Sequence, residues 1–196
     1  MLEDVLWNDG EPNPGGLEQI LAIAKLEDIV TLPVPVSDEP AYVDNLLSDL
    51  VTITGDIVFA NTVGFTRVYG TIETLKLDGE SQGEFDGMSK LNSIEFLHPG
   101  SKGEMLGFDQ YTQNGNFIIL VREMDGQTRM LGHRGYPAKR VSGGVATTGA
   151  ASADRRGNTF NFQSARKGPA PIFMGTVKLS DDSVQDPFTG VITPGV

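Results

Sequence analysis

A regular alternation of side chains along residues 74–86 limits the possible folds of this chain more than any other feature. Polar residues occupy every second position there, whereas Leu75, Leu77 and Phe85 fall on the opposite side with small residues between them. Successive side chains of a β-strand point to opposite faces of its sheet. The alternation therefore predicts an extended segment with one polar face.

Strands are also predicted elsewhere along the chain. β-Branched and aromatic residues, which suit a pleated surface, are concentrated in short segments bounded by turn residues. Gly79 and Gly83 suggest a hairpin tip or a bulge inside the alternating segment. The sequence therefore predicts a mainly β protein, an antiparallel β-sandwich or barrel-like domain. The further strands are predicted at residues 52–59, 65–72, 117–121, 127–131, 158–165 and 172–179, and another strand contains Ile94 and Phe96.

One short helix is predicted at about residues 102–114. Ser101 and Glu104 fit a capping box, in which the two side chains satisfy free backbone N–H groups at the start of a helix. Gly115 suits the end of the helix. A second helix is indicated at residues 37–50, where apolar residues recur at spacings of three and four.

The connections carry their own signals. Asp125 and Gly126 lie between two predicted strands and predict a hairpin with a type I′ turn. Residues 133–157, and 141–154 especially, are rich in Gly, Ala, Ser and Thr and are predicted to form a long loop, of the kind that is usually functional or ordered by a partner. The whole chain, residues 1–196, is predicted to be a single domain with irregular arms at about 1–16 and 180–196.

No residue pattern demands catalysis or a cofactor. The chain lacks cysteine, which removes thiol nucleophiles and cysteine-bound metals. Residues 79–83 match G-x-S-x-G around Ser81, but that motif needs a strand entering a helix, and here a strand pattern continues. His98 and His133 lack the spacing of metal ligands. We therefore predict no enzyme activity, no cofactor and no metal site, and we interpret Asp181, Asp182 and Asp186 as a solvated acidic tail.

The charge of the chain is large and unevenly distributed. The formal net charge of −11 argues against a surface that wraps nucleic acid, because phosphates would be repelled. Residues 122–167 nevertheless contain nine basic and three acidic residues. That segment carries about +6, so the rest of the chain carries about −17. This is either chance clustering on a solvated surface or the mark of a subunit with one basic and one acidic face.

Neither a secretory signal nor a membrane span is expected. The chain begins with acidic residues where a signal peptide would be basic, and no apolar run is long enough to cross a bilayer. We therefore expect a soluble protein that is made in the cytoplasm.

The order of these segments resembles that of the tail tube proteins of long-tailed bacteriophages, which are related in fold to type VI secretion tube proteins. The helix at 101–114, followed by the strand at 116–122 and the turn at 125–126, looks like the helix-then-hairpin unit of such subunits. Residues 148–173 look like their closing strands, and residues 13–30 resemble an early segment of phage structural proteins. The resemblance covers roughly residues 14–179 and is one of pattern, without an invariant motif.

The resemblance implies a β-sandwich subunit whose inner sheets join around a ring, commonly a hexamer. Such rings stack into a tube within the virion tail, where other tail proteins are partners and no membrane is involved. DNA would be only a transient, non-specific cargo of the lumen, and an acidic wall would not hold it.

Two sets of residues are expected to matter for such an assembly. The first set is predicted to line the lumen because its members share the polar side of the alternating segment. These candidates are Asp78, Glu80, Glu84 and Asp86. The alternative for this set is an ordinary solvated hairpin. The candidates for contacts between subunits, taken from the basic segment, are Arg134, Lys139, Arg140, Arg155 and Arg156.

Two other classes of function remain open. A head–tail connector or tail terminator also forms rings from β-rich subunits but does not stack into a tube. A carbohydrate-binding or enzymatic β-sandwich would instead have a pocket with convergent polar groups in the monomer.

Overall fold

The computed structural model describes residues 4–5, 10, 12–38, 46–60, 63–151 and 154–195. These residues contain one α-helix, α1 (Gly103–Thr112), and none of their helices is long and apolar enough to cross a membrane. Their strands, in chain order, are β1 (Ile20–Lys25), β2 (Ile29–Thr31), β3 (Thr52–Ile53), β4 (Val58–Phe59), β5 (Thr66–Tyr69), β6 (Lys76–Gln82), β7 (Ser89–Pro99), β8 (Phe117–Arg122), β9 (Thr128–Leu131), β10 (Lys139–Arg140), β11 (Ala146–Thr147), β12 (Gly157–Arg166), β13 (Ile172–Phe173), β14 (Val177–Lys178), β15 (Val184–Gln185) and β16 (Ile192–Thr193).

Two larger sheets dominate the fold. The six-stranded sheet has the order β3-β13-β9-β8-β1-β5, and the five-stranded sheet has the order β10-β12-β7-β6, with β11 also paired to β12. Pairing between named strands is antiparallel except between β3 and β13. Two small sheets, β14-β15-β16 and β2-β4, complete the structure. The predicted mainly β, antiparallel class with one helix is therefore confirmed.

The six-stranded sheet is the central layer, because both of its faces are buried. On one face, Ile119 of β8 packs in a cluster that includes Phe96 and Phe162 of the five-stranded sheet. On the other face, Ile118 packs in a second cluster with residues of the small sheets such as Phe59. All three phenylalanines are buried. This two-sided burial explains why β8 is apolar throughout and does not alternate.

The two main sheets are connected along both sides. Phe117 and Ala138 exchange backbone hydrogen bonds of 2.9 Å, which link β8 to the segment entering β10. On the other side, the Thr71 N–H donates to the Leu97 carbonyl at 2.7 Å, so the turn after β5 reaches β7. The interior between the sheets is therefore closed on both sides by backbone hydrogen bonds.

The helix is confirmed, but its predicted cap is wrong. Lys102 occupies the N-cap position, and no side chain there makes a capping hydrogen bond. Glu104 still lies in the first turn, where a carboxylate favours the positive end of the helix dipole. At the other end, the helix ends at Thr112, two residues before the predicted boundary, and the Thr112 hydroxyl donates to the Phe108 carbonyl at 2.9 Å.

Two predicted strands are each divided in the structure. Residues 52–59 form β3 and β4, and residues 172–179 form β13 and β14, which belong to different sheets. The two breaks touch, because a Cβ on Gly175 would lie 2.4 Å from the Gly55 carbonyl oxygen. Asp56 holds them together by accepting a 2.7 Å hydrogen bond from the Thr176 N–H. Both segments turn here from the central sheet to the outer layer.

The hairpin between β8 and β9 is confirmed, but its turn is not type I′. That turn requires positive φ at both central residues, and of Asp125 and Gly126 only Gly126 has it, at 94°. The Gly126 N–H donates to the Glu123 carbonyl, and the Glu123 N–H donates to the Gln127 carbonyl. This is the three-residue connection that ends in a glycine bulge.

The predicted long loop at residues 141–154 is partly a sheet edge. The Val141 N–H donates to Asn161, and the Thr159 N–H donates to Val145, both at 3.0 Å, before β11 pairs with the start of β12. Residues 152–153 lie outside the described residues.

The predicted C-terminal arm is folded onto the domain. Beyond the β14-β15-β16 sheet, the buried Thr128 hydroxyl donates to the Pro187 carbonyl at 2.6 Å, and Arg122 donates to the Phe188 carbonyl. Asp186 accepts hydrogen bonds from the N–H groups of Phe188 and Thr189 at 2.9 and 2.7 Å. These contacts use polar groups, which is why the segment has no hydrophobic signal in the sequence.

The predicted N-terminal arm and the predicted helix at 37–50 lie only partly within the described residues. Of the predicted N-terminal arm, residues 4–5, 10 and 12–16 contain no strand, and the rest lies outside the described residues. Of the predicted helix at 37–50, residues 39–45 lie outside the described residues. On either side of them, short 3₁₀ turns at Val36–Asp38 and Asp49–Val51 replace an α-helix.

Candidate assembly surface

The β6–β7 hairpin has an exposed outer strand, β6, whereas β7 lies within the five-stranded sheet between β12 and β6. Strand β6 is at the edge of the five-stranded sheet and pairs only with β7 among the described residues. Leu77 is its one partly buried residue, and both faces of the strand beyond it are exposed. An exposed edge presents unpaired backbone N–H and C=O groups, which are a template for another strand.

The outer face of the five-stranded sheet changes in charge from one side to the other. The register aligns Lys139, Gln163, Ser93 and Asp78 in one row across β10, β12, β7 and β6. The middle of this row is neutral and polar, and its ends are a cation and a carboxylate. Glu80 lies two residues beyond Asp78 on the same face of β6.

Part of the acidic charge on this face is balanced. The Lys76 ammonium lies 3.1 Å from the Asp78 carboxylate and 3.6 Å from that of Glu95. The hydrogen bond to Asp78 and the two negative charges raise the pKa of Lys76 above its ordinary value. Glu80 makes no ion pair with another described residue, so it is the uncompensated carboxylate of the strand.

The predicted polar face does not continue to residue 86, because β6 ends at Gln82. Glu84 and Asp86 instead lie in the tip of the hairpin. The Gly87 N–H donates to the Glu84 carbonyl at 3.0 Å, and Gly83 and Asp86 have φ values of 105° and 66°. These left-handed residues close a defined turn.

The tip also exposes apolar groups, one of which, Phe85, the sequence placed on the side opposite the polar face. Phe85 is 98% exposed and Met88 is 62% exposed. The alternation placed Phe85 on the same side as Leu77, but the turn removes it from the strand. A phenylalanine between two acidic residues and next to glycines was the available signal of an exposed tip.

Two of the five basic candidates, Arg140 and Arg134, make contacts within the domain. Arg140 is used inside the domain, since its guanidinium lies 2.6 Å from the Asp109 carboxylate and 4.7 Å from the centre of the Phe160 ring. Arg134 is exposed, and it donates hydrogen bonds to the carbonyls of Ile29 and Val30.

The remaining three, Lys139, Arg155 and Arg156, are exposed and make no ion pair with another described residue. The Arg156 carbonyl accepts a 3.0 Å hydrogen bond from Gly100, and Gly157 pairs with Pro99. The two arginines therefore lie at the end of the five-stranded sheet opposite to the hairpin tip.

The residues considered for catalysis or metal binding are separate from one another. Ser81 is exposed near the end of β6. His98 hydrogen-bonds to the Tyr69 carbonyl and His133 to the Ala165 carbonyl, at 2.8 and 3.2 Å. Within the described residues, no group of three His, Asp or Glu side chains is placed to hold a metal ion.

One polar cleft of about 610 Å³ bears on the carbohydrate-binding alternative. It is lined by residues that include Gln110, Tyr111 and Asn114. An aromatic ring in such a cleft is a platform for a sugar, but here the Lys25 ammonium lies 4.4 Å from the centre of the Tyr111 ring. That face of the ring is already occupied.

No family model matches the chain, and neither a curated protein nor a solved structure matches it.

Proposed function

We propose that this protein is a structural subunit of a phage tail tube, in which rings of identical subunits stack and conduct DNA. The observation that carries the proposal is β6, an edge strand that pairs only with β7 among the described residues and is exposed on both faces beyond Leu77. Such an edge invites pairing with another chain unless it is blocked. A closed ring of subunits uses the edge productively.

The distribution of charge supports the same assembly. Stacking of rings is head-to-tail, so each subunit must offer two different and complementary surfaces. Arg155 and Arg156 lie at one end of the five-stranded sheet, and we propose that they contact acidic groups of the adjoining ring. Asp78 and Glu80 lie on the polar outer face, which we propose lines the lumen; Glu84 and Asp86 belong to the tip instead. Because Lys76 balances Asp78, Glu80 contributes most to repelling DNA from this wall.

Electron microscopy of the purified protein tests the proposal directly. We expect rings and stacked tubes, and a particle that remains monomeric at all concentrations in light scattering would contradict it. A single ring that never stacks would instead favour the connector or terminator alternative.

The arginine pair provides a second test. Reversing Arg155 and Arg156 together to Glu should shorten or abolish tubes, while circular dichroism shows a folded protein. A variant with Lys25→Glu and Lys178→Glu changes the net charge equally and is the control. Normal tubes from the arginine variant at low salt, where repulsion is least screened, would show that the arginines have no role in stacking.

A further inference from the structure

The exposed tip of the β6–β7 hairpin has a complementary cleft elsewhere on the chain. This cleft has a volume of about 340 Å³ and lies between the segment after β2 and the end of β12. Its apolar part is formed by Leu32, which is buried, and Val34, which is 39% exposed. An aromatic ring placed there would cover apolar surface that the single chain leaves open to water.

The rim of the cleft is cationic. Arg166 is paired with Asp38, so these two lining residues compensate each other. Arg134 and Lys167 are exposed lining residues, and neither makes an ion pair with another described residue. The Arg134 guanidinium donates hydrogen bonds to the Ile29 and Val30 carbonyls, which carry no formal charge. The cleft therefore carries two positive charges that no carboxylate of the described residues balances.

The tip of the hairpin is complementary to this cleft, because it combines an apolar side chain with acidic neighbours. Phe85 projects almost completely into solvent, and Glu84 and Asp86 place one negative charge on each side of it. The turn is already ordered by its backbone hydrogen bond, so little conformational entropy is lost on docking. We propose that the tip of one copy docks in the cleft of a neighbouring copy, with Phe85 on the apolar floor and the two carboxylates facing Arg134 and Lys167. This inference rests on the proposed self-assembly.

The register indicates which neighbour is meant. Arg166 pairs with Lys90 in β7, and Lys90 pairs with Ser81 in β6, so the cleft and the tip are at the same end of the sheet. The strands that lead to them, β12 and β6, are separated by two interstrand spacings, roughly 10 Å. Copies related by rotation about an axis along the strands keep these features at one level, whereas translation along the strands separates them. The contact is therefore between neighbours within one ring.

A charge exchange between two variants tests the pairing. One variant carries Glu84→Lys and Asp86→Asn, in which Asn tolerates the positive φ of position 86. The other carries Arg134→Gln and Lys167→Glu. Each variant alone places like charges together, so its self-association measured by sedimentation should weaken at least about tenfold. An equimolar mixture should regain association, because each tip then meets a rim of opposite charge.

The apolar part is tested separately. Phe85→Ser should weaken association roughly ten- to hundredfold, whereas Val145→Ser, at another exposed position, should not. Because the chain has no cysteine, Phe85→Cys mixed with Val34→Cys should form a disulfide-linked dimer, and Phe85→Cys mixed with Val145→Cys should not.

The outcomes separate this inference from the proposed function. A wild-type protein that never self-associates overturns both. Wild-type rings that persist unchanged in Phe85→Ser, together with absence of the Phe85–Val34 cross-link, overturn the docking contact and leave the ring proposal standing.

Discussion

Strands β8 and β6 are similar in length and belong to the two main sheets, but their surroundings are opposite. Strand β8 is buried on both faces between two apolar clusters, whereas β6 beyond Leu77 is exposed on both. Burial of apolar surface supplies the stability of the first strand. The second strand has no buried residue and is held chiefly by its backbone hydrogen bonds to β7, which pairs with β12 on its other side. The comparison separates a region that stabilises the monomer from one whose surfaces are free for other chains.

The largest expected difference is between phenylalanines of the two regions. Phe162 is fully buried and stacks near Phe96, with ring centres 6.4 Å apart. Phe162→Ala should lower the free energy of unfolding by about 3–5 kcal/mol. Phe85→Ala should change it by less than about 0.5 kcal/mol, because no burial is lost. Urea denaturation of both variants measures this, and equal losses would erase the distinction.

Ion pairs should show the same contrast at a smaller scale. The Arg166 side chain is 7% exposed and is paired with Asp38. Asp38→Ala leaves a buried cation without its partner, so we expect a loss of about 3 kcal/mol. Asp78→Ala on the exposed hairpin should cost about 0–1 kcal/mol. The comparison fails if the two variants unfold at the same denaturant concentration.

The backbone of the tip is expected to be specified although its side chains are exposed. At Gly83, φ is 105° and a Cβ would lie 2.4 Å from the Gly87 carbonyl oxygen. Gly83→Ala should therefore cost at least about 1–2 kcal/mol locally, measured by amide exchange at the tip. Gly107 in α1 has open space around its Cβ position, and Gly107→Ala should stabilise by about 0.8–1 kcal/mol. If Gly83→Ala left amide exchange at the tip unchanged, the conformation of the turn would not be fixed.

The C-terminal segment lies between the two extremes, since it is exposed but anchored by polar contacts. Backbone hydrogen bonds from Thr189 and Phe188 hold the pKa of Asp186 below its ordinary value. The unfolded carboxyl has a pKa of about 3.9, so the stabilisation is present above that pH and is lost as the pH falls through the folded pKa. The difference in free energy of unfolding between wild type and Asp186→Asn should therefore be largest at neutral pH. It should shrink as the pH falls below about 4. A difference that is constant with pH would contradict this.

The smallest effect is expected at Ser81, which is exposed on β6 within the G-x-S-x-G match. Ser81→Ala should leave both stability and assembly unchanged. Any hydrolase activity of the wild type that this substitution abolishes would show that the residue is catalytic.

The sequence by itself determined the class of the fold and several of its elements. The period of two at residues 74–82, the apolar run of β8 and the alternation of β12 follow from local chemistry, which repeats with the geometry of a strand. The helix near residue 105 and the hairpin at Gly126 have similarly local signals. For the same reason, the sequence identified Asp78 and Glu80 as neighbours on one face.

The tertiary structure decided what depends on distant partners. The close approach of Gly55 and Gly175 divides two strands that look continuous. Asp109 draws Arg140 into the domain, although Arg140 and Arg155 belong to the same basic segment of the sequence. The turn at Asp86 moves Phe85 from the expected inner side into solvent. In each case a hydrogen bond, an ion pair or a steric contact that spans the fold, or a left-handed backbone angle, overrides the local pattern, and such interactions leave no periodic signal in the sequence.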